Sequence, residues 1–173
     1  ADGTQLALNA GGIIRVRPDG TELELVARGT RNIYDLALDS HLRIFTRDNN
    51  NNGQGWNNVL HHLPYGAEAG YPSLFRHFLA ETHPPMADYG AGAASTTLWV
   101  EEAGFPTPFS RALLSADWAL NEVYRHDLTP VGGTFEITQE AVMEIPRPID
   151  LEVSPEQELF VASLSGGSYE YAG

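Results

Sequence analysis

The sequence predicts an all-β fold, and three observations carry that reading. Short runs of alternating apolar and polar residues recur along the 173-residue chain. Seventeen glycines and eleven prolines punctuate those runs. No long stretch places apolar residues on one helical face.

Taken in order, strands are predicted at 13–17, 22–26, 33–38 and 42–46, then at 97–100, 112–115, 123–126, 135–138, 149–153 and 159–162. Each is a run of Ile, Leu, Val, Phe, Tyr or Trp alternating with polar residues, which suits a strand with one buried face. Pro18-Asp19-Gly20 and Val131-Gly132-Gly133 supply tight turns. One helix is expected at 73–80, where Leu74, Phe75, Phe78 and Leu79 share a face before Thr82-His83-Pro84-Pro85 stops it. Residues 64–95 are rich in Gly, Ala and Pro and read as a long surface excursion.

A weak repeat refines the fold class. Residues 6–16 resemble 159–171: a strand, a Gly-Gly turn and a second strand. Residues 32–46 and 148–162 share a second pattern: an inner strand ending near an acidic or Ser-Pro turn, then a strand of Leu, Ile and Phe. Four short strands per unit, at a spacing of about 40–50 residues, are the signature of β-propeller blades. The chain reads as one partial propeller domain over 1–173, with blade pieces at 1–30, 31–95, 96–146 and 147–173. About three four-stranded blades are expected, half of a six-bladed ring. Rings close with about four to eight blades. The remaining blades must come from a longer chain, a second copy or another subunit.

Composition narrows the function. The formal charge is −13, which disfavours phosphate backbones and anionic lipid surfaces, so no nucleic acid is expected as partner. No run of 18 apolar residues exists to span a membrane. Cysteine is absent, which removes disulfides, thiolate nucleophiles and a covalently attached haem. All ten basic residues are Arg, so lysine Schiff-base chemistry is excluded too.

Several segments resemble the glucose/sorbosone dehydrogenase-like six-bladed propellers, particularly a membrane-bound dehydrogenase subgroup often joined to a cytochrome c domain. They are Gly12-Ile13-Ile14-Arg15-Val16-Arg17-Pro18-Asp19-Gly20-Thr21; the stretch from Arg31-Asn32 to Leu38-Asp39; Phe45-Thr46-Arg47-Asp48-Asn49; the stretch from His61-His62 to Gly70-Tyr71-Pro72; and the stretch from Arg147-Pro148-Ile149-Asp150 to Ser154-Pro155. The resemblance implies a periplasmic or extracellular propeller that takes hydride from a sugar or polyol. It implies pyrroloquinoline quinone and calcium near the ring axis, a histidine base, and a quinone or haem acceptor such as a cytochrome c partner. This chain departs from the pattern. Ile33 replaces a Pro, Ser40-His41 and Glu156-Gln157 replace Asp-Gly turns, and the family's quinone-site lysine has no counterpart.

The candidate residues follow. Arg31 and Asn32 stand before an inner strand, where a guanidinium and an amide could hold carboxylates or a quinone oxygen. Asp48, Asn50 and Asn52 match the D-x-[DN]-x-[DN]-G opening of a calcium loop, but Val59 stands where the bidentate Glu belongs. His61 and His62 are adjacent, so on a strand they face opposite ways and one could reach the funnel as a base. Trp99, Trp118, Tyr124 and Phe135 are expected between blades. Two alternatives stand beside the dehydrogenase reading: a non-catalytic binding or scaffold module, and a calcium-dependent lactonase-like hydrolase.

Overall fold

A computed structural model of the protein describes residues 3–50, 57–74, 77–101, 104–107 and 109–164. Its strands form four sheets. In the first, β1 (Gly11–Arg15) pairs antiparallel with β2 (Glu24–Thr30). The second holds β3 (Ala37–Leu38), β4 (Ile44–Asn50), β5 (Asn57–His62) and, after a short β6 (Ala67–Glu68), β7 (Ala87–Ala91). Strand β6 joins the first sheet, parallel to β2. The third sheet is β8 (Ala94–Val100), β9 (Ala112–Asp117), β10 (Glu122–Val131) and β11 (Thr134–Glu144). The fourth pairs β12 (Pro148–Val153) with β13 (Leu159–Ser163).

In the two four-stranded sheets the chain walks from one edge to the other, then passes to the first strand of the next sheet. That order is the order of propeller blades. Strand β2 hands over to β3 as β7 hands over to β8, so β1–β2 is the outer half of a blade. Strands β12–β13 are likewise an inner half. Two whole blades and two halves make about three, and the protein is a partial β-propeller.

The period of two explains the packing. Neighbours Ile44 and Phe45 on β4 point to opposite faces, as do Leu113 and Leu114 on β9. One apolar layer joins Ile13, Val26 and Ala27 to Ile44 and Leu63. A second joins Phe45 and Leu60 to Leu113 and Phe135. A third joins Val100, Leu114 and Val123 to Leu151. Each large side chain fully buried this way contributes about 2–3 kcal/mol. The last sheet shows what its outer face lacks. Glu152 pairs with Phe160 as Ala37 pairs with Phe45. Yet Phe45 is 0% exposed under the third sheet, while Phe160 is 57% exposed.

Two expectations are corrected. No helix forms among the described residues of 73–80; the chain makes turns and one 3-10 turn, Leu79–Glu81. Phe78 and Leu79 remain exposed, so the helical face has nothing to pack on. The stretch 64–95 is also more than an excursion, since it supplies β6, β7 and the start of β8. Among the described residues, no helix is long and apolar enough to cross a membrane.

Candidate functional site

The turns that lead into β3, β8 and β12 meet at one mouth, around a cavity of about 760 Å3. Arg31 and Asn32 come from the first turn, Gly92 and Ala93 from the second, and Arg147 from the third. Asn49 at the end of β4, Tyr71, and Trp118, Ala119 and Asn121 between β9 and β10 complete the wall. The Arg31 guanidinium donates to the Asn49 carbonyl at 2.8 Å and lies 6.0 Å from the Tyr71 ring centre. The Arg147 guanidinium lies 5.1 Å from the Trp118 ring centre, and its backbone N–H donates to Asn121 Oδ1 at 2.9 Å. Two cations held against two aromatic faces make a wall suited to a flat anionic ligand.

Two buried carboxylates hold these turns. Asp48, on β4, accepts the backbone N–H groups of Arg31 at 2.9 Å and Asn32 at 2.7 Å. Asp117, at the end of β9, accepts those of Ala93, Ala119 and Leu120 at 3.0–3.1 Å. Each acid serves its own blade. In each case the ionised carboxylate gives charge-assisted bonds to otherwise unpaired backbone donors.

Behind Asp117 runs a polar network between the second and third sheets. Arg47 donates to Asn58 Oδ1 at 3.1 Å and Ser115 Oγ at 2.9 Å, and its Nη2 lies 3.7 Å from Asp117 Oδ2. Asn58 Nδ2 donates to the same Asp117 oxygen at 2.8 Å. Ser115 continues to His126 at 2.8 Å, and His126 to the Tyr89 hydroxyl at 3.3 Å. Burial pushes the His126 imidazole down to about 3, with the Arg47 charge adding to the effect.

No known family profile matches this sequence, and no curated protein does. Solved structures do. An oxidoreductase described as a glucose dehydrogenase, from Thermus thermophilus, superposes with a TM-score of 0.65 at 16% identity, over 81% of this chain and 40% of its own. The PQQ-bound aldose sugar dehydrogenase of Streptomyces coelicolor gives 0.66 at 19%, over 88% and 46%. The soluble aldose sugar dehydrogenase of Escherichia coli, in its apo-form, gives 0.64 at 16%, over 80% and 43%. The fold is that of the sugar dehydrogenase propellers. This chain spans less than half the length of each of these three proteins.

Within this sugar dehydrogenase fold, the structure separates the predicted residues. Arg31 and Asn32 line the mouth. Asp48 does not; it sits behind them at 2% exposure. Asn50 is buried beside it and Asn52 lies outside the described residues. His61 and His62 do face opposite ways, but neither reaches a funnel. Strand β5 is the third strand of its blade and is covered on both sides, so the two are 2% and 6% exposed. His62 packs against Phe45 and Phe135. Burial, with His83 nearby, pushes its imidazole down. Burial pushes His61 down to about 4, against the opposing pull of Asp48. Among the described residues, no three His, Asp or Glu side chains converge to hold a metal.

Sequence reasoning missed Asn121 at the mouth, treated Trp118 as inter-blade core, and read Arg147 only as part of a motif. The available signal was position. Arg147 precedes its inner strand as Arg31-Asn32 precedes β3, and Trp118 directly follows the clamping Asp117.

Proposed function

We propose that this chain is part of a periplasmic or extracellular sugar or polyol dehydrogenase propeller, and that the mouth bearing Arg31 and Arg147 binds its quinone cofactor. The pairing of two guanidiniums with two aromatic rings around one cavity carries this reading. Pyrroloquinoline quinone is flat and carries several carboxylates, and the donor set fits it. Arg31 and Arg147 would bind carboxylates or a quinone oxygen, Asn32 and Asn121 would orient them, and Trp118 and Tyr71 would flank the ring plane. When bound, such a quinone supplies the hydride acceptor.

Calcium fits less well. The described wall of the mouth carries no carboxylate. Both oxygens of Asp48 already accept backbone N–H groups, and among the described residues no three His, Asp or Glu side chains gather as calcium's oxygen-rich sites would need. The same wall holds no His, Asp or Glu to act as a base, so the base of this reaction comes from the remaining blades. That observation also supports a second reading, a non-catalytic module that binds an anionic partner at the same mouth. A lactonase-like site, needing convergent carboxylates, has no support in this wall.

The remaining blades would come from a longer chain, a second copy or another subunit, with a cytochrome c as the electron acceptor. The exposed Phe160, whose counterpart Phe45 is covered, supports a further blade on that side. Quenching of tryptophan fluorescence by added pyrroloquinoline quinone tests the cofactor reading. Saturable quenching is expected, weakened at least about tenfold by Arg31→Ala or Arg147→Ala. Quenching unchanged by both substitutions would sink it. Aldose-dependent dye reduction in the closed ring then separates enzyme from binding module.

A further inference from the structure

Strands β4 and β5 present two polar layers, one on each side of their blade. The layer facing the third sheet is joined throughout: Asp117, Asn58, Arg47, Ser115, His126 and Tyr89 form one connected chain of hydrogen bonds and an ion pair. The layer facing the first sheet is Asp48, Asn50 and His61, and it is different. Among the described residues, neither ring nitrogen of His61 has a hydrogen-bonding partner, and neither does Asn50 Oδ1. All three side chains are at least nine-tenths buried. They line a cavity of about 40 Å3 together with Gly29, Ala69, Tyr71, Leu79, Thr82 and Pro85. His61 Nε2 stands 3.9 Å from Asp48 Oδ2, too far for a hydrogen bond but within the span of one bridging atom.

We propose that this cavity is a built solvent site, in which buried water joins His61 to Asp48 and Asn50, making His61 a positioning residue for the Arg31–Asn32 turn. Orphaned buried polar groups are the partners that internal water takes, and the cavity exceeds the roughly 10–15 Å3 that a water needs. One imidazole, one amide oxygen and one carboxylate offer both donors and acceptors, which water can match with about three bonds. The site offers a single carboxylate, and each of its oxygens already accepts a backbone N–H, so it is a poor match for a divalent cation, which favours several free anionic oxygens. The chain of influence is short. Water fixes His61 against Asp48, and Asp48 fixes the backbone that presents Arg31 and Asn32 to the mouth. This site stands whether or not the mouth binds a quinone.

Two measurements test it on the intact chain. A high-resolution crystal structure should show water density within hydrogen-bond reach of His61 and Asp48. A dry cavity, a His61 rotated onto a protein partner, or anomalous signal from a metal there would each overturn the proposal. Amide hydrogen exchange reads the positioning role. In His61→Ala, the Arg31 and Asn32 amides should exchange about tenfold faster, while the β9 amides keep their protection. His61→Gln, which keeps a donor and an acceptor, should restore most of the loss. Equal acceleration in β9, or none at Arg31 and Asn32, would show that His61 is only packing.

Discussion

Arg47 and Asp117 form an ion pair sealed between two blades, with Nη2 and Oδ2 3.7 Å apart and both side chains at 3% exposure or less. Asn58 bonds to both members and Ser115 to Arg47, Asp117 Oδ1 also accepts the backbone N–H groups of Ala93, Ala119 and Leu120, and the Arg47 guanidinium stacks 4.7 Å from the Tyr89 ring centre. Such a pair need not stabilise the fold more than apolar residues would, but breaking it leaves one charge buried alone.

The first prediction follows from that asymmetry. Arg47→Met should destabilise the protein by about 3–5 kcal/mol, because Asp117 loses its cation inside the interface. The measurement is urea unfolding at neutral pH. A shift within about 1 kcal/mol would mean that Asn58 and the backbone donors suffice for Asp117.

Acid sensitivity should begin near pH 6.5 and come from histidines. His126 and His61 are held down to about 3 and about 4, both chiefly by burial, while the unfolded chain titrates near 6.5. Their folded pKa values are depressed, so the unfolded state binds more protons below pH 6.5. Stability is therefore full above 6.5 and falls as pH drops from there toward 4. Each imidazole steepens the fall by about 1.4 kcal/mol per pH unit. Asp39 and Asp19, also held low, act only in stronger acid. Urea midpoints between pH 7.5 and 5 should show the decline, and His126→Gln should flatten it. A level profile over that range would contradict the burial argument.

The hairpin turns of the inner strands offer a gain in stability. Leu42 has φ of 60° and Gln157 has φ of 66°, both left-handed, and Leu42 is largely exposed. Each closes a tight turn: the Leu42 N–H donates to the Asp39 carbonyl, and the Gln157 N–H to that of Ser154. Glycine is the residue that such a position suits. Relieving the Cβ crowding should outweigh the added freedom of the unfolded chain. Leu42→Gly and Gln157→Gly should each raise stability by about 0.5–1 kcal/mol, read as a higher Tm. A lower Tm for both would mean that the side chains hold contacts worth more than the strain.

The blade strands were legible because their alternation is strong. Ile13, Phe45, Leu114 and Leu151 all lie in the buried layers that their pattern implies. Strands β5 and β7 were not, because Asn57, Asn58, Asp88 and Gly90 are poor strand formers that the sheet holds by register. The position of Arg31 and Asn32 at the mouth is legible from their place before an inner strand. The backbone bonds of Asp48 are not legible, because an acid within an Asn-rich run reads alike whether it binds a cation or backbone amides. Only the fold tells that β5 is covered on both faces, which removes His61 and His62 from the funnel.

The two clamping acids have a consequence for how such a mouth can change over time. Asp48 secures the turn of its own blade and Asp117 the turn of the next, and neither reaches across to the other's loop. The blade between them nevertheless ties the two loops: Arg47 and Asn58 hold Asp117, and Asn49, whose carbonyl takes the Arg31 guanidinium, donates to the Gly92 carbonyl at 3.5 Å. The loops are therefore inherited as neighbours. A duplicated blade would carry its acid with it, but that acid would keep its charge partner only beside a blade that still offers the Arg and the Asn.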